Sequence, residues 1–153
     1  MWEAFQRFRA LDSNARKLFG RAVLLLPWTR WSLHSRGFKT TKGVLEEKVR
    51  VRPVPANPNA SESVSTVLRM VKAGGHYGVV RPNCLEESLV LWYLLQDEGI
   101  SASLRIGVRK TDGKFEAHSW VEFQGASLNH GEWTHPHYAA FESEFSALAE
   151  EKQ

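Results

Sequence analysis

The chain holds one cysteine, Cys84, and six histidines, of which His118 lies in a segment of alternating apolar and polar residues. Asn83 and Glu86 form an N-x-x-E arrangement in which each side chain can cap the other residue's exposed amide, so a helix is expected to start between them with the thiol in its first turn. Unpaired amides and the positive end of the helix dipole favour the thiolate there, which is the nucleophilic form. The same amides can donate to the oxyanion that forms when sulfur attacks a carbonyl. The bland alternative is that Cys84 is a small apolar filler, as free cysteines usually are. His118 argues against that reading, because a neutral imidazole can accept the thiol proton and return it to a leaving amine. Its own bland alternative is a satisfied core or surface histidine.

The elements that would bring these two groups together are legible in the periodicity. Leu85, Leu89, Trp92 and Leu95 give one apolar stripe, which Val90, Leu91 and Leu94 widen, so the helix carrying Cys84 should be buried on most sides and end before Gly99. The period then changes to two, with Ala102, Leu104, Ile106 and Val108 alternating with polar residues or glycine. Asp112-Gly113 supplies a hairpin turn into a second strand, where His118, Trp120 and Glu122 share one face and Ala117, Ser119 and Val121 the other. A turn at Gln124-Gly125 leads to a third short strand near residues 126 to 130. The expected product is α+β: a cysteine-bearing helix packed on an antiparallel meander.

Upstream, Ala4, Phe5, Phe8 and Leu11 mark one helix over residues 3 to 11, and Ala15, Leu18, Phe19, Ala22, Val23 and Leu26 mark a second, capped by Asp12 or Ser13 and stopped by Pro27. Residues 28 to 45 are ambiguous. Val64, Val67, Leu68 and Val71 mark a further helix, expected to end at Gly74-Gly75. Pro53, Pro55 and Pro58 read as an extended connector, dividing the chain into a helical segment over 1–52, a connector over 53–61 and a core over 62–153.

A length of 153 residues suits one ordinary domain. One cysteine rules out an internal disulfide framework. The longest apolar run, Ala22 to Leu26, is far below the roughly 20 residues of a transmembrane helix. The amino terminus lacks the order of a secretory signal, and a cytoplasmic location is expected. Residues 1–52 hold 12 Lys/Arg against 4 Asp/Glu, whereas 53–153 hold 8 against 13. The preferred reading of the basic half is a solvated helix surface over core aromatics, and no nucleic-acid partner is expected. His130, His135 and His137 fit no usual zinc-ligand spacing, so neither metal nor cofactor is expected.

Read together, Asn83-Cys84-Leu85-Glu86-Glu87-Ser88-Leu89, then Ile106-Gly107-Val108, then Ala117-His118-Ser119-Trp120-Val121-Glu122 resemble the stand-alone leader peptidases of lasso-peptide biosynthesis, which are transglutaminase-like cysteine peptidases. The likeness is close over about residues 81 to 130. It implies a papain/transglutaminase-like fold, with Cys84 as nucleophile, His118 as base and removal of a leader from a ribosomally made precursor. It implies three partners: the precursor peptide, a small leader-recognition protein and an ATP-dependent macrolactam cyclase, to which any ATP would belong. Trp120 would wall the cleft or help hold the oxyanion. Arg81, Arg105 and Arg109 are candidates for binding a peptide carboxylate or an acidic leader, against the plainer reading of surface arginines.

The family completes its triad with an aspartate about a dozen residues after the histidine, and here that place is taken by Asn129-His130. A three-residue loop, Phe123-Gln124-Gly125, would set His130 opposite His118 and is slightly favoured. A two-residue Gln124-Gly125 loop would pair Val121 with Leu128 and bring Asn129 to the His118 face. Either neutral group can orient the imidazole, though neither supplies negative charge. Two other outcomes stay open: acyl transfer from the same thioester to an amine, and a silent binding or scaffold module.

Overall fold

The computed structural model describes residues 10–129 and 139–140. Three helices, α1 (Ser13–Val51), α2 (Ala60–Tyr77) and α3 (Cys84–Asp97), precede β1 (Ser103–Thr111), β2 (Lys114–Phe123), β3 (Ala126–Ser127) and β4 (Ala139–Ala140). The strands form an antiparallel sheet in the order β3-β2-β1-β4. The fold is α+β, with α3 in contact with α1, α2, β1 and β2. The helix expected over residues 3 to 11 lies largely outside the described residues.

Every residue of α3 from 88 to 95 is buried, as its all-round apolar pattern requires. Ala22 and Leu26 of α1, Val67 and Val71 of α2, and Ile100 and Val121 complete a single core around it. α1 runs antiparallel to α3: Arg30 pairs with Glu86 near the start of α3 and Arg21 with Asp97 at its end. The connector is pinned as well, since the Asn57 N–H donates to the Gly99 carbonyl at 3.0 Å and its Nδ2 to the Glu98 carbonyl at 3.3 Å.

Two expectations about helix ends are corrected. Pro27 does not stop α1, which continues to Val51. Leu26 just before it and Thr29 two residues after it are fully buried, and that packing outweighs the roughly 3 kcal/mol that an interior proline costs. The break falls at Gly37, whose φ of 81° and ψ of 173° leave the helical region. Across that kink the Ser32 and Thr41 hydroxyls meet at 2.9 Å, and Thr41 Oγ1 donates to the Gly37 carbonyl at 2.8 Å. Likewise α2 passes through Gly74-Gly75 to Tyr77. These glycines serve close approach: a Cβ at Gly74 would lie 2.8 Å from the Ala22 Cβ, and one at Gly75 2.9 Å from the Pro82 ring. Gly75 therefore lets the segment that leads into Cys84 lie directly on α2.

Glu86, only 4 % exposed, is the buried charge at this junction. Glu86→Ala is expected to lower stability by about 2–3 kcal/mol through loss of its cap and charge-assisted hydrogen bonds, measured by urea unfolding, with Glu86→Gln losing less.

Candidate active site

The start of α3 is fixed from both sides of the helix end. Asn83 has an extended backbone (φ −81°, ψ 176°), its Oδ1 accepts from the Glu86 N–H at 2.9 Å, and its own N–H donates to Glu86 Oε2 at 3.0 Å. Arg30 grips the same carboxylate with two bonds, Nε to Oε1 at 3.0 Å and Nη2 to Oε2 at 2.9 Å, and Nη2 also donates to the Arg81 carbonyl. The hydrogen bond to Glu86 pushes the Arg30 pKa up against the smaller opposing effect of desolvation, so the guanidinium is held in its charged form. Of the four amides that a helix start leaves unpaired, this box satisfies those of Asn83 and Glu86. The N–H groups of Cys84 and Leu85 are left at the open end. Cys84 itself is a free, half-buried thiol.

β2 is tied to the same helix one turn further on. Ser88 lies four residues after Cys84, hence on the same helix face, and its Oγ donates to the Ser119 carbonyl at 3.1 Å. That carbonyl points to the edge of β2 facing β3, as does the carbonyl of Val121, which accepts from the Leu128 N–H at 2.9 Å. The first turns of α3 thus meet the edge of β2 where β3 has already ended. One helical turn separates the Ser88–Ser119 contact from Cys84, and one residue separates it from His118.

His118 is half-buried with Nε2 enclosed, and its register partner in β1 is Gly107. Its ring stacks on Trp120, with centroids 6.1 Å apart and planes 23° from parallel. Trp120 is buried, and its N–H is engaged within the sheet rather than offered to an oxyanion: Nε1 donates to Glu122 Oε1 at 2.9 Å. Arg105 donates to the other oxygen of Glu122 at 3.1 Å, and Arg109 to Glu116 at 2.7 Å. Two of the three candidate arginines, Arg105 and Arg109, are therefore paired within the sheet, because β1–β2 register sets each beside a glutamate.

The three-residue loop is also corrected. Glu122 pairs with Ser127 and Phe123 with Ala126, which leaves only Gln124 and Gly125 in the turn, at φ 50° and 79°. Two left-handed residues make the type I′ geometry that matches strand twist, and Leu128 is kept packed against the core. His130 lies outside the described residues. Asn129 is buried; its Oδ1 accepts from the Val121 N–H and its Nδ2 donates to Ser88 Oγ, both at 2.9 Å. It therefore fastens sheet to helix. Burial pushes the Glu87 carboxyl above its usual pKa, an effect countered by the charge of Lys72 and by a hydrogen bond with Asn129. Sequence reasoning missed Ser88, Glu87 and Arg30. The four-residue step from Cys84 to Ser88 was a readable signal for the first, whereas Arg30, 56 residues from its partner, left none.

Residues 22–143 match the family model of the transglutaminase-like superfamily. The chain belongs to that superfamily. Among curated proteins and solved structures, none matches it. The superfamily match takes in most of α1, the connector, Cys84 and the whole β1–β2 hairpin, so the helix that supplies Arg30 falls within the family region. Transglutaminase-like proteins include cysteine peptidases and acyltransferases, both of which proceed through a thioester. None of the described helices is long and apolar enough to cross a membrane.

Two outcomes follow for this seam. Asn129→Ala leaves the buried Val121 N–H without its acceptor and is expected to cost about 1–3 kcal/mol, read by urea unfolding, with faster amide exchange at Val121. A carboxyl whose folded pKa is raised favours the fold most below its unfolded value, and that contribution is lost as pH rises through the folded pKa. Glu87→Gln is therefore expected to gain stability relative to wild type between pH 4 and pH 7, measured as the change in melting temperature at each pH.

Proposed function

We propose that this transglutaminase-like chain is a cytoplasmic cysteine peptidase that removes the leader from a lasso-peptide precursor. The observation that carries the reading is the Ser88–Ser119 hydrogen bond, which draws the helix start bearing Cys84 to the strand bearing His118. The motif likeness around Cys84 and His118 supplies the substrate class. In this mechanism the Cys84 thiolate attacks the scissile carbonyl carbon, and the resulting oxyanion accepts from the Cys84 and Leu85 amides. His118, having taken the thiol proton, gives it to the leaving amine as the C–N bond breaks. Water then attacks the thioester with His118 as base, which frees the carboxylate and restores the thiol. Trp120 holds the imidazole plane by stacking, with Glu122 anchoring the indole. A third residue orienting His118 rests on the family spacing to His130 alone, since the Asn129 amide already serves Val121 and Ser88. The leader-recognition protein would deliver the precursor, and the ATP-dependent cyclase would consume the freed amine.

The test is incubation of the chain with a lasso-type precursor and a leader-recognition protein, followed by intact mass spectrometry. Cys84→Ala is expected to abolish cleavage and His118→Ala to slow it by about 10²–10⁴-fold. Unchanged cleavage by Cys84→Ala ends the peptidase reading. A product joined to an added amine in place of water assigns the thioester to acyl transfer.

A further inference from the structure

A groove of about 350 Å³ opens between the end of α2, the segment before α3 and the second turn of α3. It is at the lower end of the roughly 300–1,000 Å³ range of ligand pockets. Lys72 and His76 line it from α2, Arg81 and Pro82 from the connecting segment, Glu87 from α3 and Asn129 from beyond β3. Its position ties it to the thiol. Glu87 is three residues after Cys84 and so its neighbour on the helix surface, Pro82 is two residues before it, and Asn129 holds Ser88, which lies on the thiol's own face. The groove therefore lies beside the helix start that carries Cys84.

The charges on its walls are unequal. Lys72 and Arg81 are both exposed and contribute two cations. Arg81 is also aimed: Nη1 lies 3.2 Å from His76 Nδ1, and its carbonyl is held by Arg30. Among the described residues the one carboxylate on its walls, Glu87, is half-buried, lies in the field of Lys72 and shares a hydrogen bond with Asn129. What faces a ligand is therefore a cationic rim over a carboxyl that already has partners. An acidic group gains from such a rim and a basic one is repelled.

We propose that the groove is a substrate subsite that selects an acidic side chain next to the scissile bond, with Lys72 and Arg81 as its specificity-determining residues. This rests on the peptidase reading of Cys84.

Two series of thiol-directed peptides test it on the full chain: peptidyl chloromethyl ketones, which lie on the amino side of the warhead, and chloroacetyl peptides, which lie on the carboxyl side. Each carries Glu, Gln or Lys in turn at the three positions nearest the warhead, and Cys84 labelling rates are read by intact mass spectrometry against bare chloroacetone and chloroacetamide. At one position the Glu peptide is expected to label about tenfold faster than the Lys peptide, the effect of two partly exposed ion pairs. The Glu-to-Lys ratio cancels any general change in thiol reactivity. It is expected to fall toward one in Lys72→Met/Arg81→Met and to invert in Lys72→Glu/Arg81→Glu. A ratio within about twofold at every position of wild type, or a preference for Glu that survives both double substitutions, overturns the subsite while faster labelling by peptides leaves the peptidase reading standing. If no peptide outpaces its bare warhead, the peptidase reading fails, and the subsite falls with it.

Discussion

A carboxylate almost closed off from water is tolerable only when charge-assisted hydrogen bonds surround it, and Glu86 meets that condition with groups drawn from two distant parts of the chain. The Asn83 amide comes from its own helix cap, and the guanidinium of Arg30 comes from the middle of α1. Three consequences follow from this one requirement. The start of α3 cannot slip by a residue without losing the cap; α1 must lie with Arg30 over the start of α3; and the Arg81 carbonyl is drawn to the same guanidinium, which fixes the path into Cys84. The amino-terminal helix is thereby part of the housing of the thiol. Truncating α1 would unsettle the start of α3 by removing Arg30.

Helix and strand are joined by polar contacts among buried groups. Ser88, Ser119 and Asn129 are all nearly closed to water, and their hydrogen bonds form one connected set: Asn129 to Val121 and Ser88, and Ser88 to Ser119. Apolar packing of α3 on the sheet would tolerate a slide of an ångström or two, whereas this set does not, because each displaced partner leaves a buried group unsatisfied. Registration of helix against strand is what a two-residue catalytic pair on separate elements needs. The hydroxyl at Ser88 and the amide at Asn129 supply it one helical turn from Cys84 and one residue from His118.

Elements whose signal is local were legible before any coordinates. The Asn83/Glu86 box, the all-round apolar α3, the Asp112-Gly113 hairpin and the shared face of His118, Trp120 and Glu122 each depend on residues within a few positions of one another. What misled was local chemistry overruled from afar. Pro27 reads as a stop, yet burial of Leu26 and Thr29 carries the helix through it. Gly74-Gly75 reads as a terminus, yet the pair exists to admit Ala22 and Pro82. The site shows the same division. Cys84 and His118 announce themselves by type and setting, but the partners of Trp120, Arg105 and Asn129 depend on strand register, and a single residue in the Gln124-Gly125 turn decides that register for everything after it. Arg30 was out of reach because no spacing rule links it to Glu86.

The arrangement around His118 also bears on why a neutral third residue is tolerable. In a serine hydrolase the base must remove a proton from a hydroxyl of very high pKa, and an adjoining acid that stabilises the imidazolium is worth several orders of magnitude. A thiol is far more acidic, so the imidazole needs less help with charge and more help with direction, as the asparagine of papain-like enzymes illustrates. Direction is what this sheet provides. Strand alternation places the imidazole, the indole and Glu122 in a row on one face, the Glu122 carboxylate fixes the indole through Nε1, and Arg105 fixes the carboxylate. The imidazole thus rests against a ring that cannot turn. On the proposed mechanism, an imidazole oriented by stacking has less need of an aspartate at the position following Asn129.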